Sequence, residues 1–480
     1  MKKLLLGIWL LSLVACSSEE EVLKQDLPIS STKLLSSSDG AVYYSRYSDG
    51  RNPRLLADAT VSGGLYAWFE AASPVTEVRF LVDGQWIDQR VERIPPYSLG
   101  GDRGDGQLLA YDTDKLSTGG HTLVAQVLFK NSDTPQEYSV SFKVGEPAGL
   151  VFYVATNGSD SNDGRRVNSA FKTISKAAQT VKPGDTVKVA PGVYADSVVS
   201  VTSGLPDKRI TFISTEKHGA VVDASGAYTA WLNEGSYVDI VGFDVIGSDY
   251  LGIYNKGSYV TIQGNHVHHL AAPTCNGGNG GAGILHGNYE AHHNVVAGNL
   301  VHDILPPEGC SLIHGIYVSN QQAEILNNIV YNTRGYGIHT WHYATQTTIS
   351  GNLVLNNGYG GILVGGGEVV MSGAVVTNNI VVDNRFGAGI YEIGKIGPNT
   401  YRNNLLWGNR MTLRPSADEA STLTADPLLI ISGSAYRLEA SSPAVDQGTE
   451  LGVSAFDYEG QRRIAPFDIG PFNLEKSVAE

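Results

Sequence analysis

The chain has 480 residues, 56 of them glycine, with 17% charged residues and a net charge of -14. This balance argues against a nucleic-acid partner, because no basic stripe is present to neutralise phosphates; any acidic ligand would need local positive charge. The glycine content fits a turn-rich β protein, and the length suits a solenoid that absorbs several hundred residues as one unit, expected to be a monomer.

Lys2 and Lys3 precede an apolar run from Leu4 to Val14. The run is too short for a membrane span and reads as a signal peptide over residues 1–15. Its ending, Leu13-Val14-Ala15-Cys16, resembles a bacterial lipobox. That resemblance implies cleavage before Cys16 and a diacylglycerol anchor on its thiol. Ser17 in place of Asp then implies an outer-membrane lipoprotein, on the periplasmic face or the cell surface. Residues 16–40 follow as a polar tether.

From 41 to 146 the pattern alternates, as in Val78-Arg79-Phe80-Leu81-Val82 and Leu123-Val124-Ala125-Gln126-Val127. Short strands between Gly, Pro and Asp turns predict a small β-sandwich. The run Val78 to Gly84, then Pro95-Pro96-Tyr97 and Gly119-Gly120-His121-Thr122, resembles immunoglobulin-like modules of bacterial secreted enzymes. Such a module serves as a spacer, or binds glycan with Trp68 and Trp86 as platforms.

The next block is Phe152-Tyr153-Val154-Ala155-Thr156-Asn157-Gly158, then Ala170-Phe171-Lys172-Thr173-Ile174, Pro183-Gly184-Asp185 and Ala190-Pro191-Gly192-Val193-Tyr194. It resembles the opening of right-handed parallel β-helix proteins of the pectate-lyase-like superfamily, including family 9 pectate lyases. The resemblance implies a right-handed parallel β-helix over 150–475, capped by a helix at about Phe171 to Val181. The loop Asp160 to Asp163 reads as tight turns or a Ca2+ loop. The segments Asp426-Pro427, Ser442-Pro443-Ala444 and Asp468-Ile469-Gly470 resemble the closing segment of such chains and mark architecture.

Within that region Gly-Ile pairs recur at Gly252, Gly283, Gly315, Gly337, Gly361 and Gly389, spaced by 31, 32, 22, 24 and 28 residues. A second column is Asn265, Asn299, Asn328, Asn352, Asn379 and Asn404. A period in the low twenties, stretched by insertions, is that of a solenoid with one coil per repeat. Coils stack about 4.8 Å apart, and stacked Asn amides bond from coil to coil. Cys275 and Cys310 sit in insertions between coils and in an oxidising compartment can pair as a disulfide. Free thiols or metal ligands are the alternative.

Ten of twelve histidines lie between His266 and His342. Alternation turns the Ile of each pair inward and the next residue outward, giving one column of Tyr254, Leu285, Tyr317, His339, Leu363 and Tyr391. His342 and His314 fall near Tyr317 and His339, whose backbones lie roughly 5 Å apart. On another face His268, His302 and Tyr331 align. Cleaving a uronic-acid polymer by β-elimination needs a base for the C5 proton, an acid for the leaving oxygen, and a group that neutralises the carboxylate. Tyr317, His339, His342 and His314 supply the acid–base types. Arg334 or Lys256 would hold the carboxylate, and Glu392 joins the catalytic candidates. Tyr254, Lys256, His286 and Tyr391 are the expected substrate-binding residues. Hydrolysis would need two carboxyls about 5 to 9.5 Å apart, with Asp303, Glu308, Asp383 and Glu392 as candidates. No cofactor is required by this chemistry; Ca2+ or Zn2+ stays open, with His339, His342, His314 and Asp303 as a zinc set. The expected function is a polysaccharide lyase acting on an extracellular acidic polysaccharide. A glycoside hydrolase, a uronate epimerase and a glycan-binding or adhesion protein are the alternatives.

Overall fold

The computed structural model describes residues 32–34, 40–45, 50, 53–102, 107–145, 149–270, 280–308, 310–384, 387–414, 418–432 and 435–474. Two compact units divide the chain at Pro147 and Ala148. The expected signal, its lipidation site Cys16 and Cys275 lie outside the described residues. Among the described residues no helix is long and apolar enough to cross a membrane.

The first unit places Val75–Val82, Gln85–Glu92, Gly119–Phe129 and Gln136–Val144 in one sheet and Gly40–Ser45 and Gly64–Ala71 in another. Strict alternation drives this: in Gly119–Phe129 every second residue from His121 on is buried. Residues of both sheets share one apolar cluster, among them Val42, Phe69, Phe80, Leu123 and Phe142. Trp68 belongs to the interior at 2% exposure, which removes it as a glycan platform. Trp86 is half-buried beneath the Arg79 guanidinium, 5.5 Å from its ring.

The second unit is an all-β solenoid, a right-handed parallel β-helix of three sheets. Their strands run from Val151–Val154 to Asp418–Ala420, from Gly192–Tyr194 to Leu405–Trp407, and from Val198–Ser200 to Met411–Arg414. The helix Ile174–Thr180 caps the N-terminal end and buries Ile174, Ala177 and Ala178; Thr173 caps it by accepting the Lys176 N–H. Asp160 accepts from the backbone of Lys172 and Thr173, and Asp163 from that of Arg165. These carboxylates tie turns, as the turn reading expects.

Inside, Ile253, Ile284, Ile316, Ile338, Ile362 and Ile390 stack on consecutive coils of the third sheet, all at 0% exposure. Each such side chain contributes about 1.5–3 kcal/mol by leaving water. No coil could bury this face alone.

The Asn column forms a continuous ladder. Asn265, Asn299, Asn328 and Asn352 each donate Nδ2–H to the Oδ1 of the next Asn at 2.9–3.1 Å, and Asn379 continues it to Asn404. Each Oδ1 also accepts the preceding Asn's backbone N–H, so the buried amides are satisfied. The residue before each ladder Asn takes a positive φ, as at Gly264 (62°) and Asn327 (52°), which makes the corner between the first and second sheets.

The closing segment covers the outward face of the second sheet. Leu300, Ile329, Leu353, Ile380 and Leu405 point out in one column. Tyr436, Leu438, Ala444, Ile469 and Phe472 pack onto that column.

Candidate active site

The third sheet leaves its outward column in a groove of about 890 Å3. The register is the one alternation predicts: Tyr254 beside Leu285, then Tyr317, His339, Leu363 and Tyr391. Tyr317 and His339 stack face to face, 4.7 Å between ring centroids and 15° between planes. Tyr254, Tyr289, Tyr336, Trp341 and Tyr359 add aromatic walls. Such a surface offers flat apolar faces and polar edges, which suits sugar rings.

Beneath this floor the histidines form a directed chain. The Tyr336 backbone N–H donates to His314 Nδ1 at 3.1 Å, so that nitrogen is a bare acceptor. The His314 ring is buried, which drives its pKa down to about 3, and the neutral ring's proton therefore sits on Nε2. His314 Nε2–H then donates to His339 Nδ1 at 2.8 Å. Burial, and after it His314 and His342, hold His339 well below the usual histidine range. Neutral His339 must therefore carry its proton on Nε2. That atom is buried without a hydrogen-bond partner among the described residues, on a side chain that lines the groove. An unsatisfied buried donor costs about 1–3 kcal/mol, which a bound acceptor would return. Gly335 makes the arrangement possible, since a Cβ there would sit 2.6 Å from His314 Nδ1.

Burial pushes the Tyr317 phenol well above the usual tyrosine range, so at neutral pH it is a proton donor. His342, also lining the groove, is oriented from the other side: its Nδ1 lies 2.8 Å from Glu368 Oε2. The Glu368 carboxyl is held below its usual pKa, first by this bond, and as a carboxylate it fixes the His342 proton on Nδ1. Nε2 is left with a free lone pair. Tyr289 packs on the His342 ring at 4.5 Å. Gly365 and Gly367 give Trp341 its bed, because a Cβ at Gly365 would lie 2.0 Å from the indole.

The expected residues divide sharply. Tyr317, His339, His342 and His314 come together, and Tyr254 lines the same groove. Tyr391 holds its outward place in the column. Lys256 lies over the Tyr254 ring at 5.4 Å but pairs with Glu234 at 2.9 Å. Three assignments are corrected. His286 points inward at 0% exposure and accepts from Asn255 Nδ2: it is the third rung of an Asn233–Asn255 ladder, because the residue after an outward Leu285 must turn in. Glu392, next to outward Tyr391, turns in for the same reason; it is 8% exposed and accepts from Tyr401 at 2.5 Å and Asn399 at 3.0 Å. Arg334 donates to the Pro306 carbonyl and is absent from the groove lining. The zinc set also fails to assemble. Both His314 nitrogens are engaged, and Asp303 binds His302 and Asn332 on the second sheet. Cys310 is buried at 4%; its expected partner lies outside the described residues.

Glu368 was missed. Its strand Gly360–Met371 runs past a register shift after Gly366, and the Gly365-Gly366-Gly367 run before it was the available signal. Among the described residues no carboxylate lines the groove itself.

Residues 152–303 match the family model described as Pel9A-like, right handed beta helix region. The crystal structure of pectate lyase Pel9A aligns with 69% of this chain and 98% of its own, at a TM-score of 0.51 and 18% identity. The solenoid shares the right-handed β-helix fold of that structure. Residues 307–434 match the model of periplasmic copper-binding protein (NosD). Pectate lyase L of Dickeya chrysanthemi is 25% identical over 193 residues, 36% of this chain and 42% of that lyase. The uncharacterized protein YwoF of Bacillus subtilis (strain 168) is 24% identical over 330 residues, covering 50% of this chain and 70% of its own. These likenesses establish the fold, and the groove's chemistry rests on this chain's own side chains.

Proposed function

We propose that the third-sheet groove is the active site of a polysaccharide lyase that cleaves a uronic-acid-containing chain by β-elimination. The observation that carries this reading is the directed chain from the Tyr336 N–H through His314 to His339, which leaves a fixed donor on His339 beside Tyr317. His342 Nε2 takes the C5 proton, and the C5 electron pair forms the C4–C5 double bond. The C4–O bond breaks, and the Tyr317 phenol protonates the departing oxygen. His339 Nε2–H binds the uronate carboxylate, where charge builds as the C5 proton leaves. His314 is a positioning residue that fixes the tautomer of His339, and Glu368 does the same for His342. Hydrolysis has less support, since the lining lacks the pair of carboxyls it needs. The lipobox-like ending at Cys16 supports an outer-membrane anchor with the substrate outside the cytoplasm, and Cys275 with Cys310 a disulfide beside the coils.

The test is incubation with alginate, pectate, glucuronan and glycosaminoglycans while following unsaturated-uronate absorbance and reducing ends together. Elimination raises both. Reducing ends without the absorbance would replace this reading with hydrolysis, and retained binding with neither would replace it with adhesion.

A further inference from the structure

The covered apolar column on the second sheet changes character toward the N-terminal coils. There the outward positions hold Asp244 beside His266, and His268 beside His302, so one patch spans three consecutive coils. Ring nitrogens of His266, His268 and His302 lie within 4.8 Å of one another. His302 is 7% exposed, and the His266 and His268 side chains are 18% and 16% exposed.

The hydrogen bonds of the cluster show which ring nitrogens a cation could take over. His302 Nδ1 lies 2.7 Å from Asp303 Oδ2 and therefore donates, which leaves Nε2 with its lone pair. His266 Nδ1 faces Asp244 Oδ1 at 3.6 Å, and its Nε2 lies 2.7 Å from His302 Nε2. With His302 Nδ1 as donor, His266 Nε2–H donates to the His302 Nε2 lone pair; a divalent ion that displaces this proton meets two Nε2 lone pairs on the same side of the patch. A carboxylate holding the far nitrogen of a histidine is the usual support of a metal-binding imidazole. Imidazole sets favour Zn2+ or Cu2+, whereas Ca2+ seeks oxygens.

We propose that His266, His268 and His302 bind one borderline divalent ion of the Zn2+ or Cu2+ type, with Asp244 or water completing the shell, and that the ion clamps neighbouring coils of the β-helix. His268 now bonds Asp244 through Nε2 at 2.9 Å and stacks on His266 at 3.9 Å. It joins the ion by rotating about its soft χ2 torsion, which frees Asp244. Tyr331, stacked on His302 at 4.6 Å and 8°, closes the site on the next coil.

The experiment uses the full chain, stripped with chelator and then given Zn2+, Cu2+ or Ca2+ separately, with bound metal measured after desalting and Tm recorded. One equivalent of Zn2+ or Cu2+ should be retained with a raised Tm, and Ca2+ should do neither. His302→Ala and the milder His268→Gln, each checked for native circular dichroism, should lose the equivalent and the Tm gain. His339→Ala, in the groove, should keep both. Failure to retain either transition metal overturns the proposal, as does equal retention in the natively folded His302→Ala or His268→Gln, or loss in His339→Ala.

Discussion

The outward faces of the second and third sheets are built by the same coils and the same alternation, yet one is closed and the other open. On the second sheet the outward column is Leu300, Ile329, Leu353, Ile380 and Leu405, buried by the closing segment. On the third it is Tyr254, Leu285, Tyr317, His339 and Leu363, left as a groove. The central inward positions of both sheets are stacked aliphatics such as Val301, Val330, Ile316 and Ile338. The difference shows that in a β-helix the core sets where side chains stand and the outward residues alone decide what a face does.

Substitutions on the open face should separate chemistry from folding most sharply. His339→Ala and Tyr317→Phe should each lower kcat by roughly 100- to 10,000-fold with unchanged circular dichroism, measured as unsaturated-uronate release. Full activity in both would remove the groove from consideration. An inward change on the same strand should do the reverse: Ile316→Ala should cost about 2–5 kcal/mol in urea unfolding while the groove residues stay in place. Glu368→Gln removes the carboxylate that orients His342, so kcat should fall; an unchanged rate would show that His342 needs no such orientation.

His286 tests the inward side by pH. Burial lowers its folded pKa to about 3 from an ordinary 6.5, so below about 6.5 the unfolded chain binds the extra proton. Its contribution is complete above that pH and is lost as pH falls toward 3. His286→Asn extends the Asn233–Asn255 ladder with a group that does not titrate. Its urea midpoint should therefore fall less between pH 7.5 and 5 than that of the parent chain. The smallest effect is expected at the rim, where Lys256→Ala breaks a solvent-exposed pair with Glu234 worth about 0–1 kcal/mol; kcat/KM should stay within a few-fold.

The sequence carried the coil register plainly, because Gly-Ile and Asn recur in fixed phase and a period of two admits no half-steps. Tyr317, His339, His342 and His314 were legible for that reason. The same rule turns His286 and Glu392 inward, since each follows an outward residue, and phase overrides their polar character. Glu368 was hidden because it lies past a break in register, where counting from Gly361 no longer says which way a side chain faces. Arg334 was misplaced because it stands at a corner between sheets, and corner geometry depends on loop paths that periodicity does not describe. The pairing of His266 with His302 was hidden for another reason: they occupy different columns, two residues out of phase, and only the long reach of the rings brings them together.

The Asn ladder has one further consequence. Because each rung fixes the next at about 4.8 Å, the outward column is a row of evenly spaced marks. Tyr254, Leu285, Tyr317, His339 and Leu363 are successive marks, with Tyr317 and His339 on adjacent ones. Removing one whole coil from either flank would take away one mark and leave the spacing of the others unchanged.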